Sequence, residues 1–243
     1  MQLRIFNGSP RYKKSNSTIL LAHFLSGYSS VLTNDVPVHY LAETHQTEGY
    51  AAFFSQTETV IVIFPLYTDC MPAIVMAFFE AIYRQPSIAT KKLGFIVQSG
   101  FPEAIQSASV EKYLTKFTRR IGCEYLGTVI KGGVEGIQMM PPSITKKLFG
   151  QFRDLGKYFA QEGVFDPTIM AELRKPYILS TFRRVTFQLF SLLGLTNFYW
   201  NTNLKKHHAY ANGLINPICR KYFEGCTHIK RQRRAQRSPS LSF

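Results

Sequence analysis

Short apolar segments alternate with longer amphipathic segments over the first two-thirds of the chain. The apolar segments have the length and residue types of strands and cover residues 2–6, 36–41, 59–64, 93–98 and 124–130. Segments of helical length follow each of them, at residues 18–32, 49–55, 72–83, 104–121 and 143–161. The alternation predicts the order βαβαβαβαβα, which is typical of a parallel sheet with helices on both faces.

The third apolar segment has no polar position to mark a solvated face. It runs through β-branched and aromatic residues from Val60 to Phe64, as a strand buried on both faces should. Right-handed crossover connections leave few topologies for five parallel strands. The two common doubly wound arrangements differ in strand order, and the hydrophobic pattern alone does not separate them.

Three loops follow the carboxyl ends of predicted strands, at residues 7–17, 65–72 and 99–103. Ligands of open α/β sheets bind outside these strand ends. We therefore expect the three loops to converge on one site if the first, third and fourth strands are neighbours.

The first of these loops carries the clearest chemistry. Residues 7–18 read Asn-Gly-Ser-Pro-Arg-Tyr-Lys-Lys-Ser-Asn-Ser-Thr and lead into a helix. Hydroxyl groups, the free N–H groups of a helix N-terminus and the charge of Arg11 all favour a phosphate group. Neither the Walker A motif nor the dinucleotide-binding glycine motif is present. A polar turn with a serine-rich helix cap is the alternative interpretation.

The loop resembles the phosphate-binding signature of the flavodoxin-like NAD(P)H-dependent FMN reductases. That signature is Asn-Gly-Ser-Pro-Arg followed by Ser-Asn-Ser, directly after the first strand. The turn after Phe64 resembles the family's second FMN loop, and the loop that begins at Ser99 resembles the third. The resemblance covers about residues 1–160.

The resemblance implies a three-layer sandwich with a five-stranded parallel sheet in the order 2-1-3-4-5. It also implies which residues hold FMN. The residues that would hold the FMN phosphate are Ser9, Arg11, Ser15, Asn16, Ser17 and Thr18. The residues that would line the isoalloxazine ring are Pro65, Leu66, Tyr67, Thr68, Ser99, Gly100 and Phe101.

The family's chemistry is hydride transfer from NADH or NADPH to the flavin N5. By this resemblance, electrons then pass to a quinone, nitro, azo or free-flavin acceptor in a ping-pong mechanism, and no catalytic side chain is required. A non-enzymatic electron carrier or a membrane- or anion-associated flavin-binding protein is the alternative function.

Several single residues near the loops have two interpretations. Tyr67 and Phe101 either stack on the flavin or pack in the core. Glu103 is expected to cap the following helix rather than to contact the ribityl chain. The glycines at 132, 133 and 136 either form a mobile loop near the flavin or a simple connector.

The cysteines do not predict a metal site. Related iron–sulfur flavoproteins carry a cysteine cluster between the second and third strands, and residues 39–59 contain no cysteine. Cys123 is expected in the core, and Cys70 either in the core or at the pocket. The spacing of Cys219 and Cys226 matches no compact zinc motif.

The charge divides the chain. Of 243 residues with a net charge of +14, residues 1–145 carry 12 basic and 10 acidic side chains, whereas residues 146–243 carry 17 basic and 5 acidic. We therefore expect a flavodoxin-like domain at 1–162, a basic helical extension at 163–228 and a disordered basic tail at 229–243.

The extension contains a basic amphipathic helix at residues 178–195, which would pack at the core or a dimer interface, form a lid, or contact an anionic membrane. No nucleic-acid recognition module accompanies the tail. No segment has the ~18 apolar residues of a membrane span or the pattern of a signal peptide. The expectation is a cytoplasmic homodimer.

Overall fold

The computed structural model describes residues 2–85 and 88–181, together with residues 185, 202, 204 and 205. The strands in these residues are β1 (Leu3–Asn7), β2 (Val38–Tyr40), β3 (Thr59–Pro65), β4 (Lys92–Gln98) and β5 (Glu124–Lys131). The helices are α1 (Asn16–Tyr28), α2 (Thr47–Ser55), α3 (Ala73–Tyr83), α4 (Ala108–Arg120), α5 (Pro142–Glu162) and α6 (Pro167–Leu173).

The strands form one parallel sheet in the order β2-β1-β3-β4-β5, which confirms the predicted topology. Asn7 at the end of β1 pairs with Ile63 of β3, and Pro65 at the end of β3 pairs with Gln98 of β4. The three central strands therefore end close together, and the loops that follow them leave the sheet at the same edge.

Side chains alternate between the two faces of the sheet. Along β3, Val60, Val62 and Phe64 belong to one buried cluster, whereas Ile61 and Ile63 belong to another. The first cluster also contains core residues of α2, α3 and α4, and the second contains core residues of α1, α5 and α6. Apolar burial on both faces explains the lack of polar positions in β3 and gives three layers.

Helices α1 and α5 cross in backbone contact on the second face. A Cβ atom at Gly27 would lie 1.8 Å from the carbonyl oxygen of Arg153, and one at Gly156 would lie 1.9 Å from that of Phe24. Glycine is required at both positions because any side chain would force the helices apart.

Several predicted helix bounds differ from the structure: α2 begins at Thr47, two residues before its predicted start, and α1 ends at Tyr28, four residues before its predicted end. The segment 104–121 is divided into a 3₁₀ helix at Ala104–Ser107 and α4. Helix α1 begins at Asn16, two residues before the predicted start, because the Ser15 hydroxyl accepts the N–H of Thr18 as the N-cap.

Residues up to Ser180 form one compact unit, and residues 181–243 form a second. Phe165 and Leu173 are buried in the core beside α1 and α5, so α6 belongs to the first unit. Within the described residues, no helix is long and apolar enough to cross a membrane. Most of the predicted helix 178–195, Cys219, Cys226 and the tail 229–243 lie outside the described residues.

Candidate functional site

The loops after β1, β3 and β4 meet around one small cavity at the carboxyl edge of the sheet. The cavity has a volume of about 40 Å³, which is enough for a few water molecules. The cavity is lined by Ser9, Arg11, Asn16, Pro65, Leu66, Tyr67, Gln98, Ser99, Gly100 and Glu135. Loops far apart in the sequence thus form one site, as the strand order requires.

The N-terminus of α1 reaches this cavity. The first N–H groups of a helix have no acceptor inside the helix, and here they belong to Asn16 and Ser17. Both residues are buried, and the Ser9 side chain is buried beside them. The Arg11 guanidinium is half-exposed above this group of donors. The arrangement can bind an anion through backbone N–H groups and one cation.

The remaining predicted hydroxyl groups shape the loop and do not line the cavity. Ser15 caps α1, and its hydroxyl also lies 3.0 Å from that of Thr18. Thr18 in turn donates to the carbonyl of Tyr12 and accepts from the amide of Asn7 at 3.1 Å. The Ser17 hydroxyl accepts from the Gln98 amide at 3.4 Å. These bonds fix the loop that leads into α1.

Glu43 holds the first loop from the side of β2. Its carboxylate accepts from Tyr12 at 2.6 Å and also from Tyr50. These two hydrogen bonds lower the pKa of Glu43, and the bond to Glu43 raises the pKa of Tyr12. Tyr12 has a left-handed φ of 53°, a conformation that a tyrosine seldom adopts. The Tyr12–Glu43 bond stabilises this unusual backbone.

The second loop is a tight turn after β3. Tyr67 and Cys70 exchange two backbone hydrogen bonds, of 2.8 and 3.0 Å. The residues between them, Thr68 and Asp69, both have left-handed φ, at 47° and 62°. A β-branched residue in this region is strained by roughly 1 kcal/mol or more, and such strain concentrates at functional sites. Thr68 lies outside the lining of the cavity, and Tyr67 is 45% exposed.

The third loop is fastened to the segment after β5. Gly133 donates to the carbonyl of Phe101 at 2.8 Å, and Val134 donates to that of Ser99 at 3.0 Å. Phe101 is 46% exposed and lies outside the cavity lining. Core packing is therefore excluded for Phe101, and for Tyr67 as well.

The segment 132–138 is also hydrogen-bonded to the start of α1. The Asn16 amide donates to the carbonyl of Val134 at 2.9 Å and accepts from the Gln138 amide at 3.1 Å. The glycine-rich segment is therefore held at both the first and the third loop. These contacts involve residues more than a hundred positions apart, so no local sequence signal reports them.

Sequence reasoning missed two residues of the cavity, Gln98 and Glu135. Gln98 is the last residue of β4, and the hydrophobic pattern identifies it only as part of a strand. The Glu135 carboxylate lies 3.8 Å from the Arg11 guanidinium, and its Cβ would be 3.3 Å from a Cβ at Gly100. The available signal for Glu135 was an isolated acid within a run of glycines after a strand.

The donors fit a phosphate group such as that of FMN, with one disagreement. The N-terminus of α1, Ser9 and Arg11 present donors and positive charge to the cavity. The Glu135 carboxylate lies in the same cavity and is already paired with Arg11. A bound phosphate would therefore compete with Glu135 for Arg11.

The expectation for Glu103 was wrong. Its side chain makes no capping bond to the helix that follows. Instead, its carboxylate accepts the backbone N–H of Leu179 at 2.7 Å and fastens the segment after α6. A cap and a long-range anchor look the same in sequence because both place an acid before a helix.

The described cysteines are single. Cys123 is buried, as predicted, and burial raises the pKa of its thiol to about 11. Cys70 is exposed in the turn after β3, so it is not a core residue. In the described part of the chain, no three His, Cys, Asp or Glu side chains gather in a way that could hold a metal ion.

Solved structures with a similar fold include two reductases. An NAD(P)H:quinone oxidoreductase from Methanothermobacter marburgensis has a TM-score of 0.52 at 14% identity, over 65% of this chain and 96% of its own. An FMN-dependent NADH-azoreductase from Bacillus anthracis, in complex with FMN, has a TM-score of 0.51 at 15% identity, over 66% of this chain and 100% of its own.

Sequence comparison points to the same fold. No curated protein matches the sequence. A family model for the flavodoxin-like fold matches residues 1–149, which is more than half of the chain. The match spans β1 to the middle of α5 and includes all three loops of the cavity. The chain therefore belongs to the flavodoxin-like fold family.

Proposed function

We propose that this protein is an FMN-dependent oxidoreductase that takes hydride from NADH or NADPH and passes electrons to a small acceptor. The observation that carries this proposal is the single cavity in which the N-terminus of α1 meets the loops after β3 and β4. The family match and the names of the similar reductases support it. FMN would supply the two-electron chemistry that connects a nicotinamide to a quinone, nitro, azo or free-flavin acceptor.

The first loop would bind the phosphate of FMN. Ser9, Arg11 and the first N–H groups of α1 would donate to its oxygens, since Ser9, Arg11 and Asn16 line the cavity and Ser17 follows Asn16 in the first turn of α1. Ser15 and Thr18 would act through the loop, because their hydroxyls are bonded to each other and to the helix start.

The second and third loops would hold the isoalloxazine ring. Pro65, Leu66 and Ser99 form the inner wall beside Gly100, where the backbone can approach the ring closely. The side chains of Tyr67 and Phe101 are half-exposed and would cover the faces of the ring. The strained turn at Thr68 would place its backbone N–H groups along the ring edge.

A single open site would make the mechanism ping-pong. Nicotinamide and acceptor would use the same space between Tyr67 and Phe101, one after the other. Initial-velocity measurements with NADH or NADPH against a quinone would then give parallel double-reciprocal lines. Intersecting lines would contradict a shared site.

FMN binding gives the direct test of the proposed function. Full-length protein titrated with FMN should quench flavin fluorescence at saturation, and Arg11→Gln should weaken FMN binding about tenfold because it removes a charged donor. Riboflavin lacks the phosphate, so its affinity should change little. Arg119→Gln, on the exposed end of α4, is the matched control and should bind FMN as the unmodified protein does.

Turnover completes the test. The FMN-loaded protein should oxidise NADH or NADPH in the presence of a quinone or an azo dye. The proposed function fails if the protein neither binds FMN nor oxidises either nicotinamide when FMN is present.

The proposal also includes the cellular setting. We propose that the protein acts in the cytoplasm and forms a homodimer. The exposed apolar side chains of Met76, Tyr83 and Tyr113, between α3 and α4, support the dimer. Light scattering of the full-length protein after size exclusion would give the mass of the assembly. A monomer at micromolar concentration would contradict the dimer.

A further inference from the structure

A second cavity lies between α1 and the first half of α5, and the segment after β5 forms part of its wall. It is an open groove of about 630 Å³, within the range of roughly 300–1,000 Å³ that is usual for small-molecule sites. Ile19 and His23 line it from α1, one helical turn apart, and Ile137 and Met140 form an apolar wall. The groove has therefore the size and the apolar surface of a ligand site.

One face of α5 gives the groove its positive charge. Lys146, Phe149 and Arg153 follow the i, i+3, i+7 spacing of a single helix face and all line the groove. Among the described residues that line it, none carries a carboxylate. The surface is thus suited to a ligand that is both apolar and negatively charged.

His23 and Phe149 form a stacked pair of rings in the groove. Their rings stack with centroids 4.0 Å apart and an interplanar angle of 20°. Burial lowers the pKa of His23, and the nearby Arg153 lowers it further. The lowered pKa favours the uncharged imidazole, and Lys146 and Arg153 are the cationic side chains that line the groove.

The open space beside Gly150 distinguishes this groove from an ordinary gap between helices. Gly150 lies in the interior of α5 and lines the groove, yet a Cβ at this position would meet no atom within 4 Å. Glycine weakens a helix interior. At Gly156 the close contact with α1 requires it, but no packing contact requires it at Gly150. A side chain at this position would project into the open space of the groove.

We propose that this groove binds a small aromatic anion. The aromatic ring would lie against an outer face of the stacked His23–Phe149 pair, and the anionic group would lie beside Lys146 and Arg153. The missing side chain at Gly150 would provide the space that the ring occupies. The groove shares no lining residue with the proposed flavin cavity, and the proposed ligand needs no cofactor.

The test uses the full-length protein and a fluorescent probe of this class, anilinonaphthalene sulfonate. Substituting both cations (K146Q with R153Q) should weaken probe binding about tenfold and reduce its dependence on salt, because each substitution removes a charge from the groove. Gly150→Leu should weaken it by a similar factor by filling the space. Lys147→Gln, the adjacent residue outside the groove lining, is the matched control and should leave the affinity unchanged.

Two further measurements separate the groove from general dye adsorption. N-Phenylnaphthylamine has the same ring system without the sulfonate and should bind much more weakly than the sulfonate. Displacement of the probe by adenosine monophosphate would assign nucleoside phosphates to the groove, and displacement by naphthoate would assign aromatic carboxylates.

The proposal fails if the double variant and Gly150→Leu bind the probe as the unmodified protein does. It also fails if the uncharged probe binds equally well, or if neither competitor displaces the sulfonate. Circular dichroism of each variant should match that of the unmodified protein, and Gly150→Ala, which adds only a methyl group to open space, is a second check that substitution at this position preserves the fold.

Discussion

Helix α1 meets α5 in two different ways along its length. In its C-terminal half, Gly27 lies against the backbone of α5, and Gly156 lies against the backbone of α1. In its N-terminal half, Ile19 and His23 face an open groove, and the first turn of the helix reaches the candidate flavin site. One helix thus has a closed contact at one end and two open sites towards the other.

The difference shows that glycine has two structural roles in α5, a close helix contact and an open space. Gly156 and Gly150 lie in the same helix, and both lack a side chain, but only Gly156 has a neighbour that would collide with one. The closed half determines how near the helices approach. The open half is then free to present side chains and backbone N–H groups to ligands. Glycine-to-alanine substitutions in the two halves should therefore have opposite effects on the free energy of unfolding.

Gly156→Ala should have the largest effect on stability. A Cβ would lie 1.9 Å from the carbonyl oxygen of Phe24, so the helices must separate, at a cost of about 3 kcal/mol in the free energy of unfolding. Urea denaturation monitored by circular dichroism measures the change. An unchanged midpoint would show that the α1–α5 contact relaxes freely.

Glu135→Gln should strengthen FMN binding at the first turn of α1. The substitution removes the negative charge that pairs with Arg11 at 3.8 Å. We expect the dissociation constant to fall about fivefold, which corresponds to about 1 kcal/mol. Riboflavin is the matched ligand, because without a phosphate it should gain little. Weaker FMN binding would mean that Glu135 contacts the flavin instead of competing with its phosphate.

Gly150→Ala is the counterpart of Gly156→Ala in the open half. The new methyl group meets no atom within 4 Å, and alanine is favoured over glycine in a helix interior by roughly 0.8–1 kcal/mol. The variant should therefore be more stable to urea than the unmodified protein, by up to about that amount. A loss of stability would show that the groove is closed in solution.

His23 should give the smallest effect, seen as a dependence on pH. Burial and Arg153 lower its folded-state pKa, so the unfolded chain binds more protons as the pH falls through about 6.5. Stability should therefore decrease on acidification from about pH 7 to about pH 5. His23→Gln should reduce that decrease, with the remainder coming from His39, whose pKa is lowered by burial and Arg4.

An identical pH profile in His23→Gln would contradict this expectation. It would mean that the His23 ring in solution is more exposed than its stack on Phe149 indicates. The measurement is the free energy of unfolding from urea titrations at each pH.

Features encoded by neighbouring residues could be predicted well. The strands follow from runs such as Val60–Phe64, and the start of α1 follows from the capping hydroxyl of Ser15, although the predicted helix began two residues late. The first loop was recognised because its residues are contiguous, since a helix N-terminus and its anion site share one segment. Ser9, Arg11 and Asn16 could be named for the same reason.

Features that join distant segments could not be predicted. Gln98 reaches the cavity from the end of β4, and Glu135 reaches it from the segment after β5. The glycines around Glu135 are the one local signal, and they do not indicate which loop Glu135 faces. Glu103 has the local pattern of a cap but bonds to Leu179. Tyr12, which has a left-handed φ, is held by a hydrogen bond to Glu43, and Glu43 lies in the segment after β2.

The sequence by itself determined the order of strands and helices, the two apolar faces of the central strand and the phosphate-type loop. All of these depend on periodicity and on residues within a few positions of one another. Only the tertiary structure decided that Glu135 faces Arg11, that Gly156 is a contact and that Gly150 is a space. These properties depend on distances between chain segments that are far apart in the sequence. A glycine has no side chain, so the sequence does not show whether another segment packs against it.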